Sequence, residues 1–439
     1  LDRLVSEGMT FTDAHTASSV CTPSRYALLT GRYCWRSRLQ KGVVTGNDEP
    51  LIAVGQPTVQ GLLGRSGYDT AIIGKWHLNY NYEGEHAKRG KDPRGVNFKP
   101  APAPIGNRIP DGPLTRGFDY YFGFHHAREM SSLCENDRII EEIDVVDMLP
   151  RLTERAVDYV STKGRAQRKA DASPFFLYLP LSSPHTPIVP SKEWIGKSGL
   201  GPYGDFVMQT DGTVGAVLDA IDDAGIADNT LVIFSCDNGT SKAAGIKDLQ
   251  AKGHFPSAGL RGSKADIWDG GHRVPFLVRW PKGGVKAGST TDQLVCLADF
   301  YATISEMLGA DVPANAAEDS FSFLPVLGGD EVPDPREAIV HHSISGHFAI
   351  RKGPWKLCLA HGSGGWSAPN EKAAKKQGAP KSQLYQLDDD LGEENNLESE
   401  YPEKTAELIA LLQEYVDRGR STPGPDRRND AKIEIWKSK

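Results

Sequence analysis

The feature that most constrains this chain is a series of short apolar runs, separated by helical periodicity and each followed closely by Gly, Pro or polar residues. Residues 68–73 (Y-D-T-A-I-I), 175–181 (F-F-L-Y-L-P-L), 230–236 (T-L-V-I-F-S-C) and 276–280 (F-L-V-R-W) read as strands, the second of them buried. Between the second and third, Val214, Leu218 and Ile221 share one helical face, and Gly225 suits the residue just past the helix end. This alternation predicts an α/β fold: a mainly parallel central sheet flanked by helices. Beyond a Pro-, Gly- and acid-rich shift at 310–337, residues 338–344, 348–350 and 355–359 read as antiparallel strands. A last helix spans 402–418, with Leu408, Leu411, Leu412 and Tyr415 as its apolar stripe. The expected organisation is an α/β domain over 1–330, a smaller antiparallel α+β subdomain over 335–425, and a tail at 426–439.

Composition narrows the function classes. The 439 residues carry 50 Lys and Arg against 57 Asp and Glu, a net charge of −7. That argues against a general nucleic-acid binder or a polybasic membrane binder. No apolar run approaches the roughly 18 residues of a membrane span. The cysteines at 21, 34, 134, 236, 296 and 358 are scattered, with no C-x-x-C, so they form neither a zinc ribbon nor a disulfide scaffold.

The polar residues at the strand ends are those that could carry chemistry. Residues 20–33 read V-C-T-P-S-R-Y-A-L-L-T-G-R-Y. Pro23 at a helix start places Cys21 at the helix N-terminus, where unpaired N–H groups favour negative charge, with Arg25 nearby. Taken alone, Cys21 reads first as a small buried core residue beside a helix cap. Lys75 and His77 in G-K-W-H-L follow the first strand. The Gly spacing and Trp76 exclude a phosphate-binding P-loop. His185 sits in S-P-H-T-P, where two prolines restrict the loop, and a held imidazole suits general acid or base work. Asp237 and Asn238 offer a carboxylate and an amide carbonyl, ligands for Ca²⁺ or Mg²⁺, though D-N-G is also ordinary turn chemistry. Lys264 lies in the Gly-rich stretch 259–273. In open α/β sheets ligands bind beyond the strand C-termini. If the strands run parallel, these groups share one edge and form a small cationic site for a compact anion.

At this point the sequence resembles the formylglycine-dependent sulfatases, arylsulfatase A-like members of the alkaline phosphatase superfamily. C-T-P-S-R at 21–25 with L-L-T-G-R at 28–32 is similar to the family's modification signature. Residues 74–78, 237–239, 262–275 and 384–397 resemble later elements in order. The resemblance implies sulfate-monoester hydrolysis, from a sulfated carbohydrate or aryl sulfate, by formylglycine made from Cys21, whose hydrate is the nucleophile. It implies that Arg25, Lys75 and Lys264 neutralise charge, that His185 protonates the leaving oxygen, and that His77 takes a proton as sulfate is expelled. Asp237, Asn238 and residue 21 would hold Ca²⁺, with Mg²⁺ possible. Lys75, His185, Lys264, His126 and Arg128 would contact the substrate. A formylglycine-generating maturation enzyme is the implied partner, and a periplasmic or secreted location in a bacterium the implied compartment.

The family's two adjacent metal-binding aspartates are not in this chain, whose first residues resemble the helix that follows them. The expectation is an N-terminally truncated form with weak or no activity. Two other readings stay open: a phosphatase or phosphodiesterase on the same fold, which would prefer Ser or Thr and two metals, and a non-catalytic sulfated-glycan binder, which would not need a modifiable Cys21. The loops 79–116 and 361–382, with Tyr80, Tyr82 and Trp366, are the expected pocket walls.

Overall fold

The computed structural model describes residues 1–45, 49–83, 103–127, 130–167, 169, 171–329 and 335–437. The chain divides into two compact units. The first holds Leu1–Asp2, Val44–Thr230 and Trp280–Lys282, and the second Arg3–Val43, Leu231–Arg279 and Gly283–Lys439.

The first unit is built on a five-stranded sheet. Its spatial order is Arg138–Glu142, Ser132–Glu135, Tyr120–Phe124, Asp69–Lys75 and Phe175–Tyr178. The last three strands run parallel, with Ala71 opposite Tyr120 and Asp69 opposite Phe175, and the first two join antiparallel. The helix Met148–Ala166 places Met148, Leu152, Ala156 and Val160 on one buried stripe, at the four-residue spacing of a helical face. Met148, Leu152 and Ala156 pack on Ile73, Phe122, Phe124 and Leu133 of the sheet. Each such fully buried large side chain contributes about 1.5–3 kcal/mol. The strand Phe175–Tyr178 is apolar throughout, yet all four residues are only half-buried, against the expectation of a buried strand. Among the described residues it pairs only with Asp69–Lys75, which makes it an edge strand.

The second unit carries two four-stranded sheets. In one, Ser289–Thr291 pairs parallel with Met9–Phe11, followed by Phe276–Arg279 and Val232–Ser235, both antiparallel. The α/β class is as expected, but the sheets are mixed. The strand ending at Ser235 belongs to this sheet rather than joining the parallel trio. The other sheet is antiparallel throughout: Ile339–His342, Phe348–Lys352, Trp355–Cys358 and Gln383–Gln386. The helix Pro402–Asp417 covers it, burying Leu408 and Leu412 against Ile350 and Leu357. Residues after this helix fold back over the same unit: Asp430 N donates to Arg36 O at 2.8 Å, and Ile435 is buried.

Candidate active site

In the second unit, the helix Cys21–Thr30 opens on the buried Cys21, after Val20 in an extended conformation. Pro23 has no N–H to leave unpaired in the first turn. The Ser24 hydroxyl donates to Ser18 O at 2.8 Å and Val20 O at 3.0 Å, tying that turn to the segment before it. Gly31 ends the helix at φ +66°, its N–H bonded to Ala27 O at 2.8 Å. One turn inside the helix, Arg25 reaches the Asp237 carboxylate, with Nε 2.8 Å and Nη2 2.7 Å from Oδ2.

Asp237 and Asn238 follow the strand Val232–Ser235, and their turn is held by close backbone approach. Gly239 N donates to Gly271 O at 2.9 Å, and a Cβ at Gly239 would lie 1.9 Å from Gly270 O. Any side chain there would drive the turn off its seat. Asn238 Nδ2 donates to Gly239 O at 2.9 Å. Its Oδ1 is buried with no hydrogen-bond partner among the described residues. A carboxylate next to an orphaned amide carbonyl is the donor chemistry of a hard cation, so these residues fit Ca²⁺ or Mg²⁺.

Lys264 is buried in the same unit. Its backbone N–H bonds Thr240 O at 2.9 Å, and the next residue, Ala265, bonds Ser19 O at 2.8 Å. The Lys264 loop is thereby fixed both to the Asp237 turn and to the segment leading into Cys21. Sequence reasoning missed Asp266, which holds that loop. Its Oδ1 accepts from Trp366 N at 2.8 Å and Ser367 N at 2.9 Å, and its Oδ2 from Ser263 N at 2.9 Å. An Asp two residues after Lys264, in a Gly- and Ser-rich loop, was the available signal. Cys236, beside this turn, has its thiol pushed up to about 12 by burial, with the Asp237 charge adding to it.

In the first unit, Lys75 ends the strand Asp69–Lys75 and is buried. Gly74 lets that strand end pass close to its neighbour. It adopts φ +135°, and a Cβ would lie 2.1 Å from Pro180 O. Lys75 N then bonds Pro180 O at 2.8 Å, and His77 N bonds His125 O at 2.7 Å. His77 has the unusual φ of +56°, and its Nε2 donates to Val44 O at 3.2 Å, so Nδ1 is the basic nitrogen. The His126 ring lies edge-on to His77 at 5.5 Å and to His125 at 4.7 Å, and His125 Nε2 meets Asn79 Oδ1 at 2.7 Å.

His185 is half-buried. Its Nδ1 donates to Thr186 O at 2.7 Å, which places the ring's lone pair on Nε2. The prediction for Arg128 lies outside the described residues, as does 84–102 of the expected pocket wall. Tyr80 is not a wall residue: it is 1% exposed, packed on His125 and bonded to Cys134 Sγ at 3.4 Å. Trp366, 48% exposed, does face solvent. The second unit thus gathers Cys21, Arg25, Asp237, Asn238 and Lys264, and the first gathers Lys75, His77 and His126.

Comparison with known proteins agrees with this chemistry. The sulfatase family profile matches residues 1–310. An N-acetylgalactosamine-6-O-sulfatase of Bacteroides thetaiotaomicron is 30% identical, over 95% of this chain and 88% of the relative. Human arylsulfatase A is also 30% identical, over 94% of this chain and 81% of its own length. A solved Bacteroides thetaiotaomicron structure, described in work on the metabolism of multiple glycosaminoglycans, superposes with a TM-score of 0.78. It is 27% identical and covers 94% of this chain and 92% of that one. The chain belongs to the sulfatase family, of the alkaline phosphatase superfamily, and is a hydrolase of sulfate esters.

Proposed function

We propose that the protein releases inorganic sulfate from a sulfated sugar, with 6-sulfated N-acetylgalactosamine as the substrate unit. The observation that carries this reading is Cys21 at the opening of a helix whose Arg25 clasps Asp237, in a chain similar to several proteins named N-acetylgalactosamine-6-sulfatases. Sulfatases typically use a formylglycine and a divalent metal. Here Cys21 is the residue to be oxidised, by a formylglycine-generating enzyme. As a hydrated aldehyde, residue 21 supplies one hydroxyl to attack sulfur and a second whose deprotonation releases sulfate.

The other residues bind, neutralise and move protons. Lys75 and Lys264 are buried cations suited to the non-bridging sulfate oxygens, and burial strengthens their effect. Arg25 orients Asp237 and adds positive charge beside residue 21. His185, with its Nδ1–H held by Thr186, protonates the leaving sugar oxygen from Nε2. His77 takes a proton at Nδ1 as sulfate departs. His126 and Arg128 contact the sugar. Asp237, Asn238 and residue 21 would hold Ca²⁺, or Mg²⁺, which supplies positive charge to the sulfate group. A periplasmic or secreted location suits such a substrate. Among the described residues no helix is long and apolar enough to cross a membrane.

The test is co-production with a formylglycine-generating enzyme. Mass spectrometry of the Cys21 peptide should show the aldehyde. Sulfate release should be fastest from 6-sulfated N-acetylgalactosamine, compared with its 4-sulfated isomer, 6-sulfated N-acetylglucosamine and an aryl sulfate. An unmodified thiol would overturn the role of Cys21. Turnover of the aryl sulfate alone would overturn the sugar assignment.

A further inference from the structure

In the second unit, the loop that follows the strand Trp355–Cys358 is locked to the loop that carries Lys264. Ile267 N donates to Ser363 O at 2.8 Å. Gly365 passes so close that a Cβ would lie 2.2 Å from Ala265 O. Asp266 accepts from Trp366 N at 2.8 Å, from Ser367 N at 2.9 Å and from the Ser367 hydroxyl. Glu371 holds the same loop through other groups. Its Oε1 accepts from Gly362 N at 2.9 Å and Gly364 N at 3.1 Å, and its Oε2 from His361 N at 2.9 Å.

Trp366 is the side chain this fixed loop presents. It is 48% exposed, although folding buries most of the surface of a typical Trp. Among the described residues, no aromatic ring or cation stacks on it. The exposed Tyr401, by contrast, leans on Trp355 with ring centroids 5.0 Å apart. The Trp366 backbone is bound at both ends, its N–H by Asp266 and its carbonyl by the Lys242 ammonium. Such an indole loses little backbone freedom when something packs on it. The loops around it are those of the sulfate site. Lys264 is two residues before Asp266, and Ala265 N bonds Ser19 O, two residues before Cys21. Lys242 is four residues past Asn238.

The charge beside Trp366 runs against that of the whole chain. Residues 366–381 hold Lys372, Lys375, Lys376 and Lys381 and one acid, Glu371. The four lysines are exposed, whereas the Glu371 carboxylate is turned onto backbone N–H groups. Lys242 is also exposed, and its bond to Trp366 O uses one of the three N–H donors of an ammonium. In a chain of net charge −7 this is a local excess of positive charge, which draws in an anionic chain.

A pyranose ring carries C–H bonds on its faces and hydroxyls around its edge. One face can pack on an indole while the edge stays in water, the kind of contact an amphipathic aromatic makes. Lys264 and residue 21, both buried, are the groups that take the sulfated sugar, so an exposed platform beside their loops serves its neighbour. We infer that Trp366 is the stacking platform for the sugar joined to the sulfated one, and that Lys242 and the lysines of 372–381 pair with acid groups of the chain. The substrate is then an acidic oligosaccharide rather than a single sulfated sugar. This inference rests on the sugar reading given above and adds a second contact site to it.

The experiment measures binding by calorimetry on the full chain carrying Cys21→Ala, which cannot form the aldehyde and so leaves its ligand intact. The ligands are 6-sulfated N-acetylgalactosamine and a tetrasaccharide in which that sugar, also at the non-reducing end, alternates with glucuronic acid. The tetrasaccharide should bind about tenfold or more tighter than the single sugar. Adding Trp366→Ala should remove this advantage and change the Kd of the single sugar by less than about threefold, whereas Trp366→Tyr should keep most of it. Lys242→Gln should lose part of the advantage at low salt and none at high salt. Equal Kd values for the two ligands would overturn the inference, and so would equal weakening of both by Trp366→Ala. If Trp366→Ala fails to fold, the comparison of the two ligands and the Trp366→Tyr variant decide, and a Tyr variant without the advantage counts against stacking. The substrate unit fails separately, by slow sulfate release from 6-sulfated N-acetylgalactosamine in the panel above; the same pair of lengths is then built on the sugar that panel selects. Turnover of the aryl sulfate alone would overturn both readings.

Discussion

Arg25 clasps Asp237 through two nitrogens on one oxygen: Nε at 2.8 Å and Nη2 at 2.7 Å from Oδ2. The helix that begins at Cys21 is thereby fixed to the turn that follows the strand Val232–Ser235, across more than 200 residues of sequence. Lysine has a single nitrogen and cannot reproduce a two-nitrogen contact. Arg25→Lys is therefore expected to lower kcat/KM by about 10²- to 10³-fold. Steady-state kinetics on 6-sulfated N-acetylgalactosamine with fully modified enzyme checks this, and a loss below threefold would contradict it.

Asn238 Oδ1 is a buried acceptor that a hard cation would satisfy. Chelation should abolish sulfate release, and Ca²⁺ should restore it. Asn238→Leu keeps the side-chain volume and removes the carbonyl. It should raise the Ca²⁺ concentration for half-maximal activity by about tenfold or more. An unchanged Ca²⁺ dependence would remove Asn238 from the metal site.

Arg36 and Asp319 are both fully buried and paired through two bonds of 2.8 Å, and Asp319 also accepts from Tyr33 N and the Ser421 hydroxyl, each at 2.8 Å. Arg36→Met leaves an uncompensated buried carboxylate, a cost of about 3–5 kcal/mol. The urea midpoint should fall accordingly. Adding Asp319→Asn should recover part of the loss, because it removes the stranded charge. A double variant no more stable than the single one would count against charge burial as the cause.

Burial pushes the thiols of Cys34, Cys134, Cys296 and Cys358 up to about 12. At pH 8 the thiolate fraction is on the order of 10⁻⁴, and the thiolate is the reactive form. Iodoacetamide should label none of the four in the native protein and all four in denaturant, read by peptide mass spectrometry. Rapid native labelling of any one would show that its surroundings open in solution.

The elements legible in the sequence were those whose signal is local. The four apolar runs appear as strands within one or two residues at their starts, and the last helix runs Pro402–Asp417 as its stripe of Leu408, Leu411, Leu412 and Tyr415 requires. Strand pairing was not legible. The apolar run ending at Ser235 looks like the one ending at Tyr178, yet it pairs antiparallel with Phe276–Arg279 in the other unit. Apolarity along a strand reports burial and β-propensity and carries no information on its neighbour or direction.

The candidate site divides the same way. Cys21, Arg25, Lys75, His77, Asp237, Asn238 and Lys264 were identified from sequence because each sits in a short motif whose Gly, Pro and Ser neighbours shape its backbone. Tertiary structure alone decided that Arg25 binds Asp237, that Asp266 anchors the Lys264 loop, and that Tyr80 is buried beneath His125 rather than lining a pocket. It also decided that His15, His272 and His341 pack against one another. They are joined only when strands distant in sequence pack. Residue types and local motifs are set by covalent order, so the sequence by itself determined the reaction class and the α/β elements. Which side chains meet depends on long-range packing, which brings together groups hundreds of residues apart.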